Sequence, residues 1–189
     1  MARKIVLMMG VSLDGYIEGP DREIDWHVVD GELHRHFNTE LAAMGGFLHG
    51  RVVYELMAGV WPTADTDPAS TPEMVEFAGI WRDKPKIVYS TTLERADWNT
   101  TLVRRVDADE VRALKAEPGG DLVLGGADLA ASFMDLDLID AYRIYVHPVL
   151  IGRGKPLFRD RDALTRLDLV ETHAFGNGVV LLQYDRAAR

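Results

Sequence analysis

Apolar residues along this chain alternate between short unbroken runs and stripes at helical spacing, which predicts strands interleaved with helices in an α/β fold. The run Ile5-Val6-Leu7-Met8-Met9 has no polar face, as expected of a strand covered on both sides. Asp14-Gly15 then marks a turn or bulge, and Gly19-Pro20-Asp21 opens a loop reaching Trp26. Over residues 32–44, Leu33, Phe37, Leu41 and Met44 recur at steps of four, four and three, the stripe of an amphipathic helix stopped by Gly45-Gly46. Short strands are predicted at 47–49, 86–90, 101–106 and 122–124, and a longer one at 138–146. Short helices are predicted at 52–57, 109–116 and 128–134, with Asp107 capping the second. Residues 63–70 read as a polar loop, after which Thr71 caps a helix opening at Pro72-Glu73. Residues 166–174 and 179–184 form a terminal antiparallel hairpin reversed at Asn177-Gly178. No repeat or low-complexity linker divides the chain, so residues 1–189 read as one domain.

Two junctions in this pattern carry chemistry. Leu122-Val123-Leu124 runs into Gly125-Gly126-Ala127, and Phe47-Leu48-His49 runs into Gly50-Arg51-Val52, each a strand giving way to a helix through glycine. Free N–H groups at such helix starts face an anion readily, and two in one small domain suit a ligand with separated phosphates. A tight turn required only by packing is the alternative at Gly125-Gly126.

Composition narrows the picture. The chain carries 21 Lys+Arg against 30 Asp+Glu, a net charge of -9, which disfavours nonspecific nucleic-acid binding but leaves room for a local basic pocket. No run approaches the roughly 20 apolar residues of a membrane span, and the N-terminus leads straight into a strand, so no membrane partner or signal peptide is expected. Cysteine is absent, which excludes disulfides, thiolate catalysis and cysteine-based zinc sites and is compatible with a cytoplasmic protein. The six histidines show no H-E-x-x-H spacing, and no metal site is expected.

Taken in order, Ser12-Leu13-Asp14-Gly15-Tyr16-Ile17, Ile24-Asp25-Trp26, Gly50-Arg51-Val52-Val53-Tyr54-Glu55, Ser90-Thr91-Thr92-Leu93, Gly125-Gly126, Leu138-Ile139-Asp140, His147 to Gly154 and Leu157-Phe158 resemble the dihydrofolate reductase-like superfamily. The branch they resemble contains the reductase domain of riboflavin biosynthesis and small bacterial relatives. The resemblance spans nearly the whole chain. It implies a central, mostly parallel eight-stranded sheet flanked by helices, a C-terminal antiparallel hairpin, and NADPH bound in an extended pose. It also implies a cis peptide between Gly125 and Gly126. No G-x-G-x-x-G follows the first strand, so the doubly wound dinucleotide fold is disfavoured.

By this resemblance, Gly125, Gly126, Ala127, Asp128 and Leu129 cradle the pyrophosphate, with Asp128 alternatively capping its helix. Gly50, Arg51 and Val52 meet the adenosine end, Ser90 and Thr91 a 2′-phosphate, and Val11 and Ile17 the nicotinamide region. Arg95 and Lys86 are available as a second cation. On the substrate side stand Trp26, His34 and Arg153, with Lys155 also able to meet a ribose phosphate, and Asp14 is the nearest polar group to a reacting centre. Leu138, Ile139, Tyr142, Ile144 and Val146 offer an apolar surface for a homodimer. The acidic residue that anchors a pterin ring in dihydrofolate reductases has no counterpart at the matching turn near Leu33-His34, although Asp30 and Glu32 lie close. The expected reaction is hydride transfer from NADPH to a small heterocyclic or sugar-derived substrate. A dihydrofolate reductase, a 5-amino-6-(5-phosphoribosylamino)uracil reductase and a noncatalytic NADPH-binding protein are the alternatives.

Overall fold

The computed structural model describes residues 2–188. In chain order the elements are β1 (Ile5–Ser12), β2 (Tyr16–Glu18), α1 (Gly31–Ala43), β3 (Gly46–Gly50), α2 (Arg51–Ala58), a 3-10 helix (Trp61–Thr66), α3 (Pro72–Asp83), β4 (Lys86–Tyr89) and β5 (Thr100–Val103). They continue with α4 (Ala108–Ala116), β6 (Leu122–Gly125), α5 (Ala127–Asp135), β7 (Ala141–His147), β8 (Lys155–Pro156), β9 (Leu167–Ala174) and β10 (Val180–Arg186). Eight strands form one sheet in the order β5-β4-β3-β6-β1-β7-β10-β9, parallel from β5 through β7 and antiparallel in the closing hairpin.

Helices on both faces explain why the central strands read as unbroken apolar runs. On one face, Val111 of α4 and Leu129, Ala130 and Phe133 of α5 pack on Ile5, Leu7, Leu48 and Leu124. On the other, Leu41 of α1, Tyr54 of α2 and Phe77 and Trp81 of α3 cover Phe47, Val88 and Val123. A third cluster, Leu33, Tyr145, Phe175, Val179 and Leu181, fixes the hairpin to α1. Among the described residues no helix is long and apolar enough to cross a membrane.

Helix starts divide into two kinds. Asp30, Thr71 and Asp107 cap α1, α3 and α4 by accepting from backbone N–H groups, at Leu33, Met74, and Asp109 with Glu110 respectively. The remaining two, α2 and α5, begin at Gly50 and Gly126 with no side-chain cap.

Several expectations need correction. No peptide bond among the described residues is cis; Gly126 makes the reversal with φ of +99°, a region that glycine alone enters without strain. Residues 63–70 are not all loop, because the 3-10 helix with Pro62 in its first turn occupies their first half. The strand expected at 138–146 starts at Ala141, where pairing with Val6 begins. Residues 138–140 instead fold back: Leu138 N donates to Phe133 O, and the Asp140 carboxylate accepts from Ile5 N and Lys115 Nζ. The strand expected at 101–106 ends at Val103, and residues 104–106 leave the sheet. Leu138, Ile139, Tyr142 and Ile144 are core residues, with Val146 packed against them, so they offer no free dimer surface.

Histidines at strand ends complete the frame. His147 Nδ1 accepts from Val28 N at 3.1 Å, tying the segment before α1 to the end of β7. Its ring lies 4.6 Å from that of His27, and burial, then the His27 charge, push its pKa down to about 4. His49, buried beneath the end of β3, is pushed to about 3 by burial and then by Lys86. Both rings are therefore neutral in the folded protein where unfolded histidine, at 6.5, would already take up a proton. Stability conferred by the neutral rings is complete above pH 6.5 and is lost as pH falls toward 4 and then 3. Thermal melts between pH 7 and pH 4 are expected to show a loss on the order of 6 kcal/mol from the two rings together. A His147→Gln variant should flatten that slope; an unchanged slope would contradict the assignment.

Candidate functional site

Strands β1, β3, β4 and β6 run parallel and end at one edge of the sheet, where the crossover segments leave two adjoining depressions. The first is an open groove of about 520 Å³ between the N-termini of α2 and α5. Gly50 to Val53 form one wall and Gly126 to Leu129 the other; Ile17, Tyr89 to Thr92, and Arg104 to Val106 complete it. Four cationic side chains line it (Arg51, Arg104, Arg105 and Lys155) against two carboxylates (Glu18 and Asp128), a local positive excess in a chain of net charge -9. Arg51 pairs with Glu55 at 2.8 Å, Arg105 with Asp107 at 3.3 Å and Lys155 with Asp128 at 2.6 Å. Arg104 differs, because its guanidinium donates to the carbonyls of Ser90 and Leu93 rather than to a carboxylate. Ser90 Oγ accepts from Thr92 N and Leu93 N, shaping the turn that presents Thr91.

The second depression is a cavity of about 510 Å³ between the sheet and α1, α2 and α3. Its walls are methionine and aromatic side chains, among them Met8, Met57, Phe37, Phe47, Trp61 and Phe77. Three polar side chains interrupt them. Tyr145 hydroxyl is paired with His36 Nε2 at 2.9 Å, and burial raises its pKa. His49 stacks on Phe47 and its Nδ1 has no hydrogen-bond partner. His34 meets Trp61 edge to face and lies at a tilt to Phe77, and burial lowers its pKa against the opposing pull of Glu73 and Glu76.

The two depressions share a partition. Val53 lines both, and Gly125 lines the cavity while Gly126 lines the groove. A Cβ at Gly126 would press on Val53 Cγ2 at 3.0 Å, and the φ of +99° would strain any residue bearing one, so glycine suits the partition.

Of the residues singled out in the sequence, Ile17, Gly50, Arg51, Val52, Ser90, Thr91, Gly126, Ala127, Asp128 and Leu129 line the groove. Gly125 and His34 line the cavity. Asp128 does not cap α5; Gly126 occupies that position, and Asp128 pairs with Lys155. Val11 is buried in the core and lines neither depression. Trp26 also lines neither, being stacked edgewise on His27 and His147 with Nε1 donating to Glu23 O.

Asp14 fastens loops instead of facing a depression. It accepts from Ser12 Oγ at 2.6 Å and from the backbone N–H groups of Ile151 and Gly152, and these bonds, Ser12's foremost, hold its carboxyl below the ordinary range. Arg153 is exposed outside both depressions, while Lys155 reaches the groove. Lys86 is buried over Trp81 and donates to the carbonyls of Trp81 and Lys84, which removes it as a groove cation; burial pushes its pKa to about 8. Arg95 pairs with Asp97 outside the groove. Asp30 caps α1 and Glu32 accepts from Gly176 N, so no carboxylate near Leu33-His34 faces the cavity.

Arg104, Arg105 and the methionine-lined cavity were not anticipated. Two successive arginines at a strand end were the available signal for the groove; nothing in spacing announced the cavity. No group of His, Asp and Glu among the described residues is arranged to hold a metal ion.

The RibD C-terminal domain family matches residues 3–181. The chain is 36% identical to uncharacterized protein YyaP of Bacillus subtilis over 183 residues, covering 96% of this chain and 94% of that one. It is 32% identical to uncharacterized protein YwjB of the same organism, covering 99% and 100%. Among solved structures, a putative riboflavin biosynthesis protein from Shewanella sp. PV-4 superposes over 100% of both chains with a TM-score of 0.75 at 23% identity. The diaminohydroxyphosphoribosylaminopyrimidine deaminase/5-amino-6-(5-phosphoribosylamino)uracil reductase of Thermotoga maritima superposes with a TM-score of 0.66 at 14% identity, over 98% of this chain and 57% of that protein. Fold, junction glycines and sequence agree, and the chain belongs to the RibD C-terminal domain family, the riboflavin-pathway reductase branch of the dihydrofolate reductase-like superfamily.

Proposed function

We propose that this protein is an NADPH-dependent reductase that holds its cofactor in the groove and its substrate in the cavity. One observation carries the reading: the two α-helices without a side-chain cap, α2 and α5, are the two that open into the cationic groove. Their free N–H groups suit the pyrophosphate, whose charge the helix dipoles favour. Arg104, with no carboxylate to satisfy it, and the Ser90-Thr91 turn suit a 2′-phosphate, with Arg105 at the rim.

NADPH supplies a hydride to an electrophilic carbon of the substrate. The chain's own residues align and enclose the partners. Ile17 and the Gly126 turn support the nicotinamide end, Val53 sets the approach across the partition, and the apolar cavity wall excludes water. Asp14, engaged by Ser12 and two backbone donors, holds the loops in place and is not the source of the proton. The cavity beside the groove favours turnover over simple nucleotide binding. Its lack of a carboxylate speaks against dihydrofolate reductase.

We further infer a homodimer joined along β9 rather than β7. Strand β9 is a sheet edge with every residue exposed, including Leu167, Leu169 and Val170. A second copy laid antiparallel along it would complete the ladder about a two-fold axis.

Calorimetric titration is expected to give an NADPH Kd of roughly 0.1–10 μM, in the range usual for small-molecule ligands of enzymes. Arg104→Ala should weaken NADPH about tenfold and NADH far less, since a charge-assisted bond to the 2′-phosphate is lost. Absence of binding by both nucleotides would overturn the reductase assignment. Sedimentation equilibrium is expected to show a dimer that Leu169→Lys converts to monomer; a monomeric parent protein would remove the β9 interface.

A further inference from the structure

We infer that the cavity selects an uncharged, largely apolar ring compound bearing a conjugated carbonyl, and does not accept a phosphorylated ribitylamino- or ribosylamino-pyrimidine. The inference rests on the groove taking the nicotinamide cofactor and narrows what is reduced beside it.

Charge is the first ground. Among the described residues lining the cavity there is no lysine, arginine, aspartate or glutamate. A phosphate placed there would lose its hydration with no cation to replace it, a cost of many kcal/mol that binding does not recover. The cations that line the site are those across the partition in the groove, where the cofactor's own phosphates require them. The neighbouring charges of α1 and α3 are turned to one another: Arg35 pairs with Glu73 at 2.6 Å, and Glu76 accepts from Asn38 Nδ2 at 2.7 Å.

The wall chemistry is the second ground. Four of the chain's seven methionines, Met8, Met9, Met57 and Met74, line this one cavity. Thioether side chains are polarizable and change rotamer readily, so they mould to apolar rings and contact aromatic faces favourably. Phe37, Phe47, Trp61 and Phe77 add flat surfaces, and a volume of about 510 Å³ has room for a fused-ring molecule. This is the lining of a site for a greasy ring, not for a sugar with several hydroxyls.

Polarity is supplied by three side chains, of which Tyr145 is already paired with His36. The His34 ring, half-buried between the edge of Trp61 and the tilted ring of Phe77, has no hydrogen-bond partner among the described residues. With the buried His49, unpartnered at Nδ1, it is one of two unpartnered imidazoles lining the cavity, and as the partly exposed one it can exchange protons with solvent and suits a carbonyl oxygen. In the reaction, hydride forms a C–H bond at the electrophilic carbon as NADPH is oxidised to NADP. The displaced π pair ends on the carbonyl oxygen, directly or through the conjugated enolate, and a proton delivered there by His34 from solvent gives the alcohol, or the enol that tautomerises to the saturated ketone. One NADPH and one proton are consumed for each carbonyl compound reduced.

The test reads binding apart from turnover. A panel of neutral bicyclic ketones, beginning with α-tetralone, is titrated against the protein while Trp fluorescence is followed, with a Trp61→Phe variant identifying the reporting residue. Ribose 5-phosphate and the phosphoribosylamino-pyrimidine serve as charged comparators. The expected result is saturable quenching by ketones that is absent in Trp61→Phe, no response to the comparators, and about tenfold weaker ketone binding in Met57→Lys with NADPH affinity changed less than twofold. Silence across the ketone panel, or saturable binding of a phosphorylated comparator, overturns the inference even if NADPH binds. If ketones bind while both nucleotides fail, the cavity's selectivity stands and the reductase reading falls.

Discussion

Everything at the site depends on one strand pairing. Parallel β3 and β6 are hydrogen-bonded neighbours, and their register sets His49 opposite Gly125. The next residue on each strand is therefore a glycine at the same height, Gly50 and Gly126, and each starts a helix. Parallel strands deliver their helices from the same edge with the same polarity, so the two positive helix ends arrive together. A register shift by one residue would exchange the faces of β6 and separate those ends. The groove is thus a property of the sheet before it is a property of any loop.

The same edge divides polar from apolar space. Loops after β4 and β5 bring Ser90 and the arginines to one side, while α1 and α3 cover the other with carbon and sulfur. Alternation along the strands makes the division possible. Leu7 and Leu124 point to the α5 layer, whereas Met8 and Val123 point to the α1 layer and into the cavity. Net negative charge does not oppose the proposed cofactor site, because the local field at the groove decides and distant acidic residues are screened.

Much of this was legible in the amino-acid order, and the remainder was hidden for identifiable reasons. Both glycine junctions, the caps Thr71 and Asp107, and the terminal hairpin depend on chemistry within a few residues, so local patterns announced them. The misplaced features depend on long-range partners. Asp140 ends the segment before β7 because it binds Ile5 N and Lys115, both far away in sequence. Lys86 could not be recognised as a buried lysine until the end of α3 was seen to supply carbonyls for it. Lys155 rather than Arg153 reaches the groove because Gly152 and Gly154, at φ of +76° and +148°, turn the loop back against β2. Tyr142 and Ile144 resembled an interface because their run is apolar, but both faces of β7 are already covered. The cavity was the least visible feature, since Met8, Met57 and Met74 meet only after the chain has folded.

Val53 sits two residues beyond Arg51, within the first turn of α2, and it forms part of both chambers. The turn of helix that greets an incoming anion is therefore the turn that carries the partition. Any small rotation of that turn would also move a wall of the neighbouring chamber. A single isopropyl group is thus the material the two chambers hold in common, with no intervening residue between them.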